Sequence, residues 1–386
     1  MKMPWNLLSV AMCVFLAMSS EAKAEMIVSD RPMKDITDSM DAMKEQWKKE
    51  AAGATSRFKS GTYTDLNGFV FRYGLVLPAK VDTGVKYPLY VGGDAKIAFA
   101  LSSSQAQYPC YVMSCWVPDN LVTKFPDWKS VTASAYKVVI DKVVAENPSI
   151  DTARISVSGA SRFGSIAFIS AYNYPDTYAA IMPSVCGLDI SKTLQIASRK
   201  IGIWMFYGVL DGGTVEDQLK KTPKGRGLPH IYKALHDAGP DCMFTVYTHG
   251  IHYEYGFTDS PTNPEWNDFT RMRKWMFEQK KPIMLWPVIT SATTSAAIAG
   301  KPFTYTITAD KAPTSFSAVV SIEHAEAADG TIAEPKEPLP SGLSFDPKTG
   351  VISGTPKEAG RFFIRLNASN DKGVGITTLA LTIMAE

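Results

Sequence analysis

Three residue types capable of nucleophilic and proton-transfer chemistry stand at three punctuated points of the chain. The first is a serine within Arg154-Ile-Ser-Val-Ser-Gly159-Ala160-Ser161-Arg162-Phe163-Gly164, where an apolar strand pattern passes through a tight turn into an apolar helix pattern. A serine at the tip of such a turn lifts its hydroxyl above the sheet edge. The helix N-terminus then points at it, and the N–H of Arg162 can bind a developing oxyanion. Small residues are needed beside it because strand and helix approach closely. Gly159 and Gly164 meet that need, whereas Phe163 stands where a glycine is usual. On this segment alone, a plain strand-to-helix turn carrying a capping serine fits equally well.

A serine hydroxyl is a poor nucleophile at neutral pH and needs a base. The chain has five histidines. His324 belongs to the C-terminal part, and His230 and His236 lie on a helix pattern ahead of the last strand. His249 and His252 follow the strand ending at Tyr247, in a loop at the carboxyl edge of the expected sheet, which also carries Ser161. The strand Ile201 to Phe206 runs into Tyr207-Gly208-Val209-Leu210-Asp211-Gly212, so Asp211 reaches the same edge, where an acid would orient the base. Serine, aspartate, histidine is the chain order of the α/β-hydrolase triad. The expected assignment is Ser161 as nucleophile, Asp211 as acid and His252 as base, with His249 second. No metal is expected: His249-Gly-Ile-His252 on a loop, without nearby Cys or helix-borne Glu, is poor zinc geometry. No glycine-rich phosphate loop appears, and no cofactor is expected.

The elements that must position these residues are legible as alternation. Within residues 56–285, Tyr63 to Leu77 reads as a hairpin turning at Asn67-Gly68. Strand patterns follow at Pro88 to Val91, Cys110 to Cys115, Arg154 to Val157, Ala179 to Val185, Ile201 to Phe206 and Met243 to Tyr247. Helix patterns separate them: Trp128 to Glu146, Phe163 to Tyr172, Pro229 to Asp237 and Trp266 to Glu278. Unbroken apolar strands alternating with helices imply a mostly parallel sheet covered on both faces. Residues 25–55 are polar, with Ile36, Met40, Met43 and Trp47 on one helical face, read as a helix laid against the main domain. Residues 286–386 turn to short strands with Gly and Pro at turns (Pro302 to Ala309, Gly350 to Ser353, Arg361 to Ala368, Gly375 to Met384), a small all-β sandwich.

Composition excludes several classes. The chain has 386 residues, of which 45% are hydrophobic and 20% charged, so it is neither disordered nor polytopic. Lys and Arg number 40 against 38 Asp and Glu, which gives no basic field for nucleic acid. Lys2, the apolar run Leu7 to Met18 and Ala22-Lys23-Ala24 read as a secretory signal over residues 1–24, which places the mature chain outside the cytoplasm, secreted or periplasmic. No other stretch is apolar over a membrane-spanning length. Cys110, Cys115, Cys186 and Cys242 remain after the leader. Cys110 and Cys115 fall at opposite ends of one strand, too far apart to bond to each other.

From about Gly61 to Lys280 the chain resembles secreted α/β-hydrolases of the polyhydroxybutyrate depolymerase and feruloyl/acetylxylan esterase group. Tyr87-Pro-Leu-Tyr-Val looks like the strand leading to that group's oxyanion loop, and Tyr174-Pro175-Asp176 to Pro183 like the segment after its nucleophile helix. Tyr207-Gly208-Val-Leu-Asp211 resembles its acid loop and Thr248-His249-Gly250-Ile251-His252 its histidine loop. The match implies the same three residues, with an oxyanion donor near Gly93. Two departures stand out. Gly92-Gly93 replaces the group's His-Gly, and Arg162-Phe163-Gly164 replaces Met-Gly-Gly. Ser-Arg-x-Gly is similar to glucuronoyl esterases, which implies that Arg162 helps hold the oxyanion. The competing account is a surface arginine at a helix N-terminus, paired with a carboxylate. Leu339-Pro340-Ser341-Gly342 to Asp346 and Thr349-Gly350 to Pro356 resemble an immunoglobulin-like module of bacterial secreted proteins, which implies a spacer or a contact with polymer or protein.

The resulting expectation is an α/β-hydrolase followed by a small Ig-like sandwich. It would hydrolyse carboxylic esters, with acyl groups on polysaccharide or a related polymer as substrate. Tyr253 and Trp266 are candidates for the substrate wall, and Asp189, Asp217 and Glu254 also fall near the carboxyl edge. The alternatives are a serine peptidase of the same fold, a non-catalytic polymer-binding protein on a hydrolase scaffold, and a glucuronoyl-esterase-like activity using Arg162.

Overall fold

The first strand among the described residues is one that the sequence pattern does not announce. In the computed structural model, which describes residues 24–51, 55–93, 96–221, 227–240, 242–321 and 339–386, strand β1 (Glu25–Ser29) precedes the amphipathic helix α1 (Met33–Ala51). The expected leader, apart from Ala24, lies outside the described residues, as does His324. Helix α1 buries Ile36, Met40 and Met43, and its Asp35 near the start and Lys48 and Lys49 at the end complement the helix dipole. β1 hides from sequence reading because it is a five-residue edge strand with two exposed side chains and no clean alternation.

A hairpin follows, β2 (Phe58–Thr64) and β3 (Val70–Val76), turning through Gly68 at φ +81°. Then come β4 (Tyr87–Val91), α2 (Lys96–Ala100), α3 (Ser102–Gln107), β5 (Tyr111–Trp116), α4 (Asp119–Lys124), α5 (Trp128–Glu146), β6 (Ile150–Ala160) and α6 (Arg162–Asn173). The chain continues through β7 (Ala180–Ser184), α7 (Ile190–Ser198), β8 (Gly202–Gly208), α8 (Val209–Gly212), α9 (Val215–Lys221), α10 (Leu228–Ala238), β9 (Cys242–Tyr247) and α11 (Asp268–Glu278).

Among the described residues, nine strands form one sheet in the order β1-β9-β8-β7-β6-β4-β5-β3-β2. β2 and β3 pair antiparallel, and β3 meets β5 antiparallel; every other pair is parallel. β4, β7 and the inner part of β6 are buried along their length, which explains their unbroken apolar runs. The architecture is an α/β-hydrolase. Its topology also locates a site. β5 lies on one side of β4 and β6 on the other, so the loops leaving β4 and β6 diverge and open a crevice at their carboxyl ends.

The C-terminal part is a sandwich, as its turn-rich sequence implies. β10 (Thr294–Ile298), β11 (Phe303–Thr306), β12 (Ser315–Val320), β13 (Leu343–Asp346), β14 (Val351–Gly354), β15 (Gly360–Asn370) and β16 (Gly373–Met384) form sheets β10-β16-β15-β12 and β11-β14-β13. β15 is buried on both faces. Ile364 and Leu366 enter the sandwich core, while the alternate residues Arg361, Phe363 and Arg365 face the hydrolase. Phe363 joins Phe69, Phe71, Leu121, Val131 and Ala135. Arg361 stacks on Phe125 at 3.8 Å, and Arg365 stacks on Tyr172 at 4.3 Å while donating to its carbonyl at 3.2 Å. Arg199 adds a third seat, stacked on Trp286 at 4.5 Å and bonded to Asp176 and to the Val374 carbonyl. An interface with a buried apolar centre and seated guanidinium groups does not behave as a spacer hinge.

Two predictions follow from this seam. Arg365→Ala should lower stability by about 1–3 kcal/mol and keep a single unfolding transition, because the two parts melt together; calorimetry showing two separate transitions in wild type would refute the coupling. Lys281, bonded through Nζ to the Asp176 carbonyl at 2.7 Å, has its pKa pulled down by burial to about 8 from 10.5. Between those values the unfolded chain binds the proton and the folded chain does not, so this group's contribution to stability rises with pH. Wild type should therefore gain on Lys281→Met between pH about 8 and 10.5 in urea titrations, and parallel curves would contradict it.

Candidate active site

Ser161 lies between β6 and α6 with φ 55° and ψ −121°, a conformation costly for any residue with a side chain. Neighbouring strands hold it there. Its N–H donates to the Ser184 carbonyl at the end of β7 (2.9 Å), and its carbonyl accepts from Ser165 (3.0 Å). The turn is as tight as the sequence implies. A Cβ at Gly159 would meet the Phe163 backbone at 2.6 Å. One at Gly164 would meet Cys186 Sγ at 2.6 Å and the Gly159 carbonyl at 2.9 Å. Phe163 is tolerated because its side chain packs toward the core, so the close approach is borne by Gly159.

β8 ends at Gly208, and Asp211 follows within α8. His252 lies in the stretch of 20 residues between β9 and α11 that carries no strand or helix. These two segments are fused by backbone contact. Leu210 N–H donates to the Gly250 carbonyl at 2.7 Å. A Cβ at Gly208 would fall 2.6 Å from the Ile251 carbonyl oxygen, and one at Gly250 2.8 Å from Gly208 Cα. Only glycine on both sides permits this approach. Asp211 Oδ2 and His252 Nδ1 meet at 2.9 Å, with 28% and 52% of their side chains open to solvent. A carboxylate oxygen accepts, so Nδ1–H is the donor in this contact, and Nε2 is the ring nitrogen left facing away from Asp211. His249 is exposed and has no ion pair with a described residue, so His252 is the histidine that faces the acid.

The histidine loop then crosses the top of the sheet. Gly256, at φ +86°, packs on Phe206 of β8, and Phe257 lies 6.4 Å from Tyr90 of β4. Glu254 thereby reaches the loop after β4: a Cβ at Gly93 would sit 3.5 Å from its Oε1. The candidate oxyanion donor Gly93 is therefore flanked by a carboxylate, which no motif in the sequence signals. Beneath it, the Tyr90 hydroxyl bonds Ser158 Oγ at 2.5 Å. Burial first, then the Glu254 charge, pushes the Tyr90 phenol well up, so it stays protonated.

The remaining expected residues divide. Arg162 opens α6, is exposed and pairs with no carboxylate among the described residues. Tyr253 lies 6.0 Å from Tyr255, beside His252 in sequence. Trp266 donates to Asp30 Oδ1 at 3.1 Å, which ties it to the N-terminal segment. Asp189 is occupied in capping α7 through Ser191, and Asp217 accepts from Thr214. Val185, just after β7, carries φ 41°, a strained value for a β-branched residue that sequence gives no means to foresee. Among the described residues the four cysteines form no disulfide; Cys186 packs under the elbow, and burial pushes its thiol up.

Comparisons with known proteins bear on the two parts separately. Residues 287–384 match a family model described as "Putative Ig domain". No curated protein matches the chain. Among solved structures the chain is similar to a thermostable esterase, with 24% identity over 59% of this chain and 64% of that one and a TM-score of 0.45. It is also similar to a ferulic acid esterase (13% identity, 57% and 96% covered, TM-score 0.41). A third likeness is to an acylaminoacyl peptidase in complex with Z-Gly-Gly-Phe-chloromethyl ketone (11% identity, 59% and 43% covered, TM-score 0.39). The chain thus spans less than two thirds of the thermostable esterase.

The elbow packing is directly testable. Gly164→Ala forces a methyl group against Cys186 and the Gly159 carbonyl and should cost about 1–3 kcal/mol. A denaturant midpoint unchanged from wild type would show that the turn accommodates a methyl group and refute the tight packing.

Proposed function

We propose that this chain is an exported serine hydrolase of carboxylic esters, acting on acyl groups carried by polysaccharide or a related polymer. The observation that carries the reading is the 2.9 Å Asp211–His252 contact, on the same sheet edge as a serine held at positive φ in a strand-to-helix turn. A strained serine on the sheet edge that also carries an oriented imidazole fits the presentation of a nucleophile.

In the proposed reaction, Ser161 Oγ attacks the ester carbonyl while His252 Nε2 takes its proton. Asp211 holds Nδ1–H and stabilises the imidazolium that forms. The Arg162 N–H at the start of α6 receives the oxyanion, and its guanidinium, free of any carboxylate among the described residues, can add charge there. His252 then gives the proton to the departing alcohol, and water releases the acyl group by the reverse sequence. The leader pattern supports export. No helix among the described residues is long and apolar enough to cross a membrane.

A fluorophosphonate probe tests the chemistry. The folded protein should form a stoichiometric adduct on Ser161, and Ser161→Ala should form none and lose about 10⁴-fold or more in ester turnover. A panel of nitrophenyl esters, acetyl and feruloyl xylans, glucuronate esters and aminoacyl amides then assigns the substrate. Faster cleavage of amides than of esters would replace the esterase by a peptidase, and a folded protein without adduct would leave a binding protein.

A further inference from the structure

We propose that Arg31 is a positioning residue for His252, and that the N-terminal segment carrying it straps the histidine loop onto the sheet from both ends. The inference rests on the reading of His252 as the base. The segment touches the loop through alternate residues. At the loop's entry, the Ser29 carbonyl accepts from Thr248 N–H at 2.9 Å and from Thr248 Oγ1 at 3.3 Å. At its exit, Arg31 Nη1 donates to the Thr258 carbonyl at 2.6 Å. Between them the Tyr255 hydroxyl donates to the Ile251 carbonyl, one residue before His252, and its oxygen lies 3.7 Å from Met33 Sδ. Tyr255 is itself stacked on Tyr247 of β9 at 4.3 Å.

Arg31 is the anchor because its guanidinium is fully sequestered, at 1% exposure, and each of its nitrogens is used. Nε pairs with Asp35 at 2.6 Å, Nη1 with Asp268 at 3.0 Å as well as Thr258, and Nη2 with Ser39 at 3.1 Å. Asp35 in turn accepts from Ser260 (2.6 Å) and Thr262 (3.2 Å), and Asp30 accepts from Trp266. One planar fork therefore joins α1, the exit of the histidine loop and the first residue of α11. A point-charge ammonium cannot reproduce that geometry. Among the described residues β1 pairs with β9, the strand that leads into the loop, so strand and fork of the segment both bear on the histidine loop.

The test compares wild type, Arg31→Lys and Asp35→Asn in the full chain, with p-nitrophenyl acetate as substrate, the fluorophosphonate as active-site titrant and amide hydrogen exchange over residues 248–258. Arg31→Lys keeps the charge and should lower kcat about 10- to 100-fold, the scale of a small misplacement of a reacting group, with KM held within about twofold. Every molecule should still label in time, and the 248–258 amides should exchange faster. Should Arg31→Lys fail to fold, Asp35→Asn is measured for the same changes. Wild-type kcat in a folded variant overturns the proposal, as does a kcat that falls only in proportion to the fraction no longer labelled. If wild type itself neither labels nor turns over, the hydrolase reading fails. Exchange then decides for the strap alone, and rates unchanged in both variants overturn it too.

Discussion

The contact between Asp211 and His252 joins two segments that leave different strands, and it is too weak to bring them together. A half-exposed hydrogen bond contributes about 0.5–1.5 kcal/mol net, or about 1.5–3 with a charged partner. Ordering the backbone of one residue costs about 1–2 kcal/mol. A 20-residue connection without strand or helix cannot be held by its functional contact. Its geometry must be imposed by groups that take no part in the chemistry, and three such restraints are present. Gly208 and Gly250 touch backbone to backbone, Gly256 lies on Phe206, and the Ser29–Arg31–Met33 strap holds the entry, exit and middle. Remove these and Asp211 and His252 become two solvated side chains.

The serine side is held by the opposite logic. Ser161 is set by its immediate surroundings, because β6, β7 and α6 are packed closely around the turn. The positive φ at Ser161 is the residue left over once Gly159, Gly164 and Cys186 have filled the space. This explains how a bulky Phe163 occurs in the motif. The steric demand falls on the Cβ position of Gly159, and Phe163 can turn its ring into the core without disturbing the serine.

What the sequence reveals and what it conceals follows from interaction range. Trp128 to Glu146 is a helix at both expected ends, and each strand pattern between Pro88 and Tyr247 is a strand, because burial imprints a local period. The positions of Ser161, Asp211 and His252 beyond the ends of β6, β8 and β9 were legible for the same reason. β1 was not, since an edge strand leaves little period behind. The opposition of Glu254 and Gly93 was not either, because the two are 161 residues apart and meet only through the loop's path. Arg361, Phe363 and Arg365 sit in a strand that the sequence did reveal. Its second buried face was the missed signal: two arginines and a phenylalanine alternating with Phe362, Ile364 and Leu366 leave no face for water.

That second face changes what the sandwich does. A spacer joined by a hinge would expose the guanidinium groups of Arg361 and Arg365 to solvent, where their stacking is worth about 0.5–1 kcal/mol each. Here both are buried against aromatic rings, and the Phe363 side chain fills a cluster built mainly from the β3 strand, α4 and α5. Tyr172, under Arg365, belongs to α6, the helix whose N-terminus receives Ser161. The helix that begins at Ser161 is therefore clamped at its far end by the sandwich, while the strand beside the histidine loop is clamped by the N-terminal segment. The sheet edge that carries Ser161 and His252 is thus held by elements outside the alternating core, the N-terminal segment and the C-terminal sandwich, and a chain cut down to that core would lack the supports on both residues.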